Sequence, residues 1–165
     1  MNIPEQIKAN NQELLALIGG WELKLCSLPC VVITKRRNSQ DRTIKQIVGH
    51  MVDSAANNTH RMVFMQHRES PFKYPNYAIH GNNDKWIAIQ DYQGEDWSDL
   101  VQLWKYSNLH WIHVAGIVDT EKLDNLWDYG EDELISLGDM IIDYLRHFKL
   151  HLDEIDELLN RDTGQ

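Results

Sequence analysis

The sequence is short of cysteine, proline, basic charge and long apolar runs, and each shortage removes a class of protein. Cys26 and Cys30 are the only cysteines. They are too few and too close for a disulfide framework, which fits a reducing compartment, and they read most simply as two small buried residues. No stretch approaches the roughly 20 apolar residues that a membrane span needs. The first ten residues, MNIPEQIKAN, lack the basic-then-apolar layout of an export signal, so the expectation is a soluble, cytoplasmic protein. Sixteen Lys and Arg stand against 25 Asp and Glu, a formal charge of −9, which argues against a nucleic-acid binder; the one basic cluster, Lys35-Arg36-Arg37, is too short to reverse that. There is no glycine-rich phosphate loop, nucleophile elbow or dinucleotide fingerprint. Strand signals are weak throughout.

What is present is a chain of 165 residues, 42% of them apolar, long enough to bury roughly 70% of the surface its unfolded form exposes. It reads as one domain over residues 1–165. Four periodic segments stand out. The first spans about Pro4 to Leu28 and carries Leu14, Leu15, Leu17, Ile18 and Trp21, with Gly19-Gly20 as a point for a kink. Pro29 stops it, and Val31–Arg42 reads as an irregular connection with a short extended piece. The second runs from Thr43 to about Gln66, with Ile44, Ile47, Val48, Met51, Val52, Ala55 and Met62 at three- and four-residue spacing. Ser70–Asn83 holds two prolines and three asparagines and is a long loop, followed by a short helix over Asp84–Tyr92. The third segment covers Trp97–Val118 and the fourth Glu133–Leu159. Each has one apolar stripe and none is apolar all round, so the fold class is all-α: a four-helix bundle of up-down-up-down type with a long loop between its second and third helices.

The chemistry lies where polar residues interrupt those stripes. On the fourth helix His151 falls inside the apolar arc and His147 one turn earlier at its edge, with Tyr144 beside them. Two imidazoles at i and i+4 point the same way and can share a metal ion. On the second helix His50, Ser54, Asn57 and Arg61 form a row along one edge of the apolar face. Burying such groups costs about 1–3 kcal/mol each unless they find partners, so the row suits a pocket lining. Three neutral imidazoles from two helices would hold one divalent ion and leave a coordination position open, the mark of a catalytic site. His110 and His113, at i and i+3 on the third helix, are a rival pair with nothing matched to them. His60, His67 and His80 read as solvated, as does the acidic stretch Asp153–Glu157.

The segment Gly49-His50-Met51-Val52-Asp53-Ser54-Ala55-Ala56-Asn57-Asn58-Thr59-His60-Arg61 resembles the H-x-A-D-S-x-x-N-x-x-x-R block of the DinB/YfiT-like superfamily, and Tyr144–Ile155 is similar to its terminal Y-x-x-H-x-x-x-H-x-x-x-I block. The stretch from Trp86 to Tyr92 is like the W-x-x-L-x-D piece of the YfiT branch. The resemblance spans about residues 40 to 156. It implies a four-helix bundle in which His50, His147 and His151 hold one divalent ion, Zn or Ni first and Mn or Fe as further candidates. It also implies the thiol-S-transferase activity of the YfiT branch, which joins a small-molecule thiol to an electrophile. Ala55 stands where that branch commonly has a second histidine, and Leu150-His151 where it has a doubled one.

In the reading that follows, Asn57, Arg61 and Tyr144 are candidate substrate-binding residues, Arg being suited to two-point recognition of a carboxylate. The alternative for Arg61 is a surface or interface salt bridge, and for Tyr144 plain packing. Asp53 is the candidate catalytic base or ligand-orienting group, with an exposed helix position as its alternative. Hydrolysis by metal-bound water is a second class of reaction for the same residues. A non-catalytic metal-binding bundle acting as a homodimer is a third, supported by six tryptophans in so small a domain.

Overall fold

In the computed structural model, which describes residues 2–131 and 133–160, six helices and three short strands follow the order α1 (Ile3–Cys26), α2 (Cys30–Lys35), α3 (Ile44–His67), β1 (Phe72–Lys73), α4 (Asn82–Gln90), α5 (Trp97–Gly116), β2 (Leu126–Asp128), β3 (Leu134–Ser136) and α6 (Leu137–Asn160). The long helices start where local chemistry tells them to. Asn2 and Glu5 form a reciprocal capping box at the head of α1, and Thr43 and Gln46 form another at the head of α3. The Asp96 side chain accepts the Asp99 amide at the start of α5, and the Ser136 hydroxyl accepts the Asp139 amide at the start of α6.

The four long helices form a four-helix bundle, as expected, and their order around it, which differs from a simple succession of neighbours, places the site. The packed pairs are α1 with α5, α5 with α3, α3 with α6, and α6 with α1. Chain-consecutive α1 and α3 therefore lie across one diagonal, and α5 and α6 across the other. Each diagonal jump needs a long connection. Residues 27–43 make the first, and Arg36 pins them by donating from Nη1 to the Leu158 and Leu159 carbonyls at the end of α6. Residues 117–136 make the second. Between the helices Trp104, Trp111 and Phe148 are almost fully buried, and the Trp111 ring stacks on Tyr144 at 3.8 Å.

Several sequence expectations need correcting. Val31–Lys35 is helical, part of α2, rather than extended; Pro29 at its N-cap supplies the preset φ that lets a new turn begin. α1 runs on through Gly19-Gly20. The fourth helix begins at Leu137, because Leu134–Ser136 pairs as β3 antiparallel to β2, and β1 joins β2 in parallel, with Phe72 opposite Trp127 and Trp127 opposite Ile135. Strands of two or three residues are too short to show an alternating pattern. Cys26 and Cys30 are exposed, not buried. No helix among the described residues is long and apolar enough to cross a membrane.

Candidate metal centre

α3 and α6 are packed neighbours, and their shared seam brings His50 against His147 and His151. His50 and His151 are buried, at 2% and 5% exposure. Ring centroids lie 4.7 Å apart for His50 and His151, 4.5 Å for His147 and His151, and 6.0 Å for His50 and His147, all with planes crossed edge to face. Each ring offers a nitrogen within 4.8 Å of the others. The expectation that histidines from two distant blocks converge is met in the geometry.

The electrostatics suit a cation. Burial, with the neighbouring His151 adding to it, pushes the His50 ring down to about 2 and the His147 ring to about 4, so both are neutral with free lone pairs at neutral pH. His151 Nδ1 lies 3.0 Å from Glu154 Oε2. With Nδ1 turned to that carboxylate, His151 presents Nε2 to the site, 3.2 Å from His147 Nε2. Two imidazole nitrogens bound at ~2.0–2.1 Å in tetrahedral geometry are about 3.3 Å apart, close to this spacing. Burial alone would raise the Glu154 carboxyl, but the His151 hydrogen bond holds it below its usual range. His50 Nδ1 is fully buried with no hydrogen-bond partner. His50 with an orphaned ring nitrogen, and two further ring nitrogens 3.2 Å apart with a carboxylate on one of the rings, make a donor set that fits a divalent ion.

Beside His147 opens a cavity of about 340 Å³ between α3, α6, β2, β3 and the loop around Tyr77. Arg61 lines it, 5% exposed, with its guanidinium carbon 4.0 Å above the Trp127 ring centroid and Nε donating to the Asn57 carbonyl at 3.3 Å. Burial lowers the Arg61 pKa to about 10, which leaves it charged at neutral pH. It forms no ion pair with any described carboxylate, so the surface salt bridge weighed for it within the chain is not formed among the described residues. Trp127 is held beneath it by the strand pairings and by an indole hydrogen bond of 2.7 Å to the Tyr74 carbonyl.

The other candidates sit apart. Asp53 is buried at 3% exposure, against the exposed position weighed for it, but it faces α4: Oδ1 accepts from the Tyr92 hydroxyl at 2.7 Å and from Gln90 Nε2 at 2.6 Å, and the residue does not line the cavity. Burial pushes its carboxyl up. Tyr92 reaches Asp53 because Gly49 leaves its ring room; a Cβ at Gly49 would lie 2.2 Å from that ring. Asn57 donates to the Asp53 carbonyl at 2.9 Å and lines a different depression with Tyr74 and Trp86. The Tyr144 ring borders the cavity, while its hydroxyl donates to Asn108 Oδ1 at 2.7 Å. His110 and His113 are exposed.

Sequence reasoning missed Glu154, Trp127 and Tyr77. Glu154 stands three residues after His151, a helical spacing that could have marked it; the acidic stretch around it read as solvated, whereas Glu154 is half-buried on the ring. No sequence signal tied Trp127 or Tyr77 to α3.

No family model matches the chain, and no curated protein matches it. Among solved structures it is similar to YfiT from Bacillus subtilis, described as a probable metal-dependent hydrolase with an unusual four-helix bundle topology; the TM-score is 0.80 at 19% identity, covering 95% of this chain and 87% of that one. The diagonal order of the helices and the convergence of α3 with α6 thus belong to a known architecture: this chain has the four-helix bundle fold of YfiT.

Proposed function

We propose that this chain is a divalent-metal enzyme that transfers a small-molecule thiol to an electrophile, with His50, His147 and His151 holding the ion. The observation that carries the reading is a cluster of three imidazoles, His50 and His151 buried and His50 and His147 kept neutral, beside a cavity in which every described carboxylate already has a partner. A divalent ion bound there supplies a Lewis-acid centre that lowers the pKa of a thiol or water at its open position. Glu154 orients His151, and burial keeps His50 and His147 unprotonated.

The state of the carboxylates favours a thiol over water. A free thiol has a pKa near ~8.5, so a modest lowering ionises it fully and its proton can leave to solvent without a protein base. Water reaches only ~7, and hydrolysis also needs a proton for the leaving group. Asp53 faces Tyr92 and Gln90, and Glu154 is engaged by His151. Asp139 accepts from Ser136 Oγ at 2.7 Å, and Asp143 is clasped by Arg146 at 2.6 and 2.9 Å. A second reading, metal-dependent hydrolysis, draws on the description of YfiT.

The test loads the protein with Zn, Ni, Mn or Fe, measures metal per chain, and assays small thiols against monochlorobimane. The expected result is conjugation that a chelator abolishes and that His151→Ala lacks. Thiol-independent turnover of ester or amide substrates would move the assignment to hydrolysis. A protein that retains none of the four metals would end both readings.

A further inference from the structure

We propose that the cavity beside His147 takes a small monocarboxylate, its carboxylate held by the guanidinium of Arg61. This deepens the proposed function, because it rests on the cavity being the substrate side of the metal centre. Arg61 carries a charge that no described carboxylate balances by an ion pair. Arg61 is 95% buried, one face covered by Trp127, and among the described residues only its Nε is used in a hydrogen bond. Its Nη groups make no hydrogen bond to a described residue, and no described carboxylate pairs with it, although it lines the cavity. A buried cation costs free energy unless it is paired, and a guanidinium left with a planar edge of unused donors matches a carboxylate in two-point fashion.

The remaining walls decide which anion fits. Among the described residues Arg61 is the only Lys or Arg on the lining, and Asp139 and Asp143 stand on the same wall system. With Asp143 already taken by Arg146, one positive charge faces the Asp139 carboxylate on the same lining, which suits a singly charged ligand and disfavours a phosphate dianion. Ala78, Ile135, Met140 and the Trp127 ring give the cavity an apolar side for a short carbon body, and about 340 Å³ limits the ligand to a small molecule. A carboxylate bound at Arg61 leaves its carbon chain to extend along the cavity toward His147, which lines it as well.

Titration calorimetry on the full chain, metal-free and Zn-loaded, tests this with crotonate, its neutral isostere crotonamide and inorganic phosphate. The expected result is crotonate binding at least tenfold tighter than crotonamide or phosphate, with Arg61→Gln reducing crotonate to the level of crotonamide while Zn content stays at that of the wild type. Equal binding of crotonate and crotonamide overturns the proposal, and tighter binding of phosphate overturns the choice of a carboxylate. Should Arg61→Gln fail to fold, the Arg61 Nε–H resonance of the wild type supplies the answer: it shifts with crotonate and not with crotonamide, and a resonance indifferent to both overturns the assignment. The metal arm keeps the two readings separable. Crotonate binding that Arg61→Gln removes in a chain unable to hold Zn ends the metal enzyme and leaves the carboxylate site. Binding that requires Zn and ignores Arg61→Gln means that the carboxylate ligates the ion, and the site at Arg61 falls.

Discussion

On the flank of α3 that meets α4 and the turn after it, polar groups are taken up by the protein itself: Lys45 Nζ donates to the Gln93 and Glu95 carbonyls, the Thr43 hydroxyl to Gln93 Oε1, and Asp53 Oδ1 accepts from Tyr92 and Gln90. On the flank that meets α6 the same helix buries His50 and Arg61 with hydrogen-bonding capacity unused. Both flanks exclude water to a similar degree, so burial does not distinguish them. The unused capacity does. A buried polar group with partners ties two elements together, whereas one without them costs free energy that a ligand can recover; toward α6 and the cavity α3 leaves the His50 Nδ1 and the Arg61 Nη groups in that state, while toward α4 it leaves one oxygen of Asp53, whose other oxygen accepts two hydrogen bonds.

The largest effect expected from this division is on metal content. His50→Ala, His147→Ala and His151→Ala each reduce bound metal from about one ion per chain to a trace, by elemental analysis after dialysis, with helical circular dichroism retained. Glu154→Gln, which keeps the shape but weakens the acceptor on His151, lowers metal affinity by roughly 10–100-fold. A full complement of metal in any of the alanine variants would break the comparison at its centre.

Acid should come next. Folded His50 and His147 stay neutral down to about 2 and about 4, whereas in the unfolded chain each takes a proton near ~6.5. Below ~6.5 the unfolded chain therefore binds protons that the fold does not. The contribution is complete above ~6.5 and is lost as pH falls toward about 4, by up to ~1.4 kcal/mol per pH unit for each ring. Urea titrations of the metal-free wild type from about pH 7.5 to about pH 4.5, spanning the reference histidine value, read this directly. His50→Phe, which removes one of the two rings, should flatten the slope, and an unchanged slope would show that His50 titrates as it does in the unfolded chain.

Much of this was open to reading in the sequence. Periodicity located α3 within a residue or two, because Thr43 caps it and its apolar residues recur without interruption. The i,i+4 spacing of His147 and His151 required only that α6 be a helix. Which helices touch was not legible: amphipathic stripes say that a face is buried, not against what, and the diagonal placement of α1 and α3 comes from long connections whose paths leave no periodic trace. The role of Asp53 was hidden for a related reason. Its partner Tyr92 lies beyond a long loop, and only Gly49 allows that ring to rest on α3. Arg61 was legible as a candidate, but its missing counter-charge was not, since pairing is a property of the assembled surfaces.

The α4 flank should respond through stability alone. Gly49→Ala places a methyl within 2.2–2.7 Å of the Tyr92 ring, so the ring must move off α3 and release Asp53. A cost of about 1–3 kcal/mol is expected from such overpacking. Combining it with Tyr92→Ala should cost less than the two separate losses added together, because the clash and the hydrogen bond are shared. Additive losses would mean that Gly49 matters for another reason.

The smallest effect is the sharpest test of where the site ends. Asp53→Asn keeps an oxygen for Tyr92 and Gln90 and replaces the buried, unpartnered Oδ2 with an amide. It also removes a carboxylate whose burial already disfavours its charge. Stability should hold or rise by up to about 1 kcal/mol, metal content should stay as in the wild type, and turnover should be unaffected. A variant that folds and binds metal yet loses turnover would make Asp53 the catalytic base after all, bring its free oxygen into the chemistry, and shift the reading from thiol transfer toward hydrolysis.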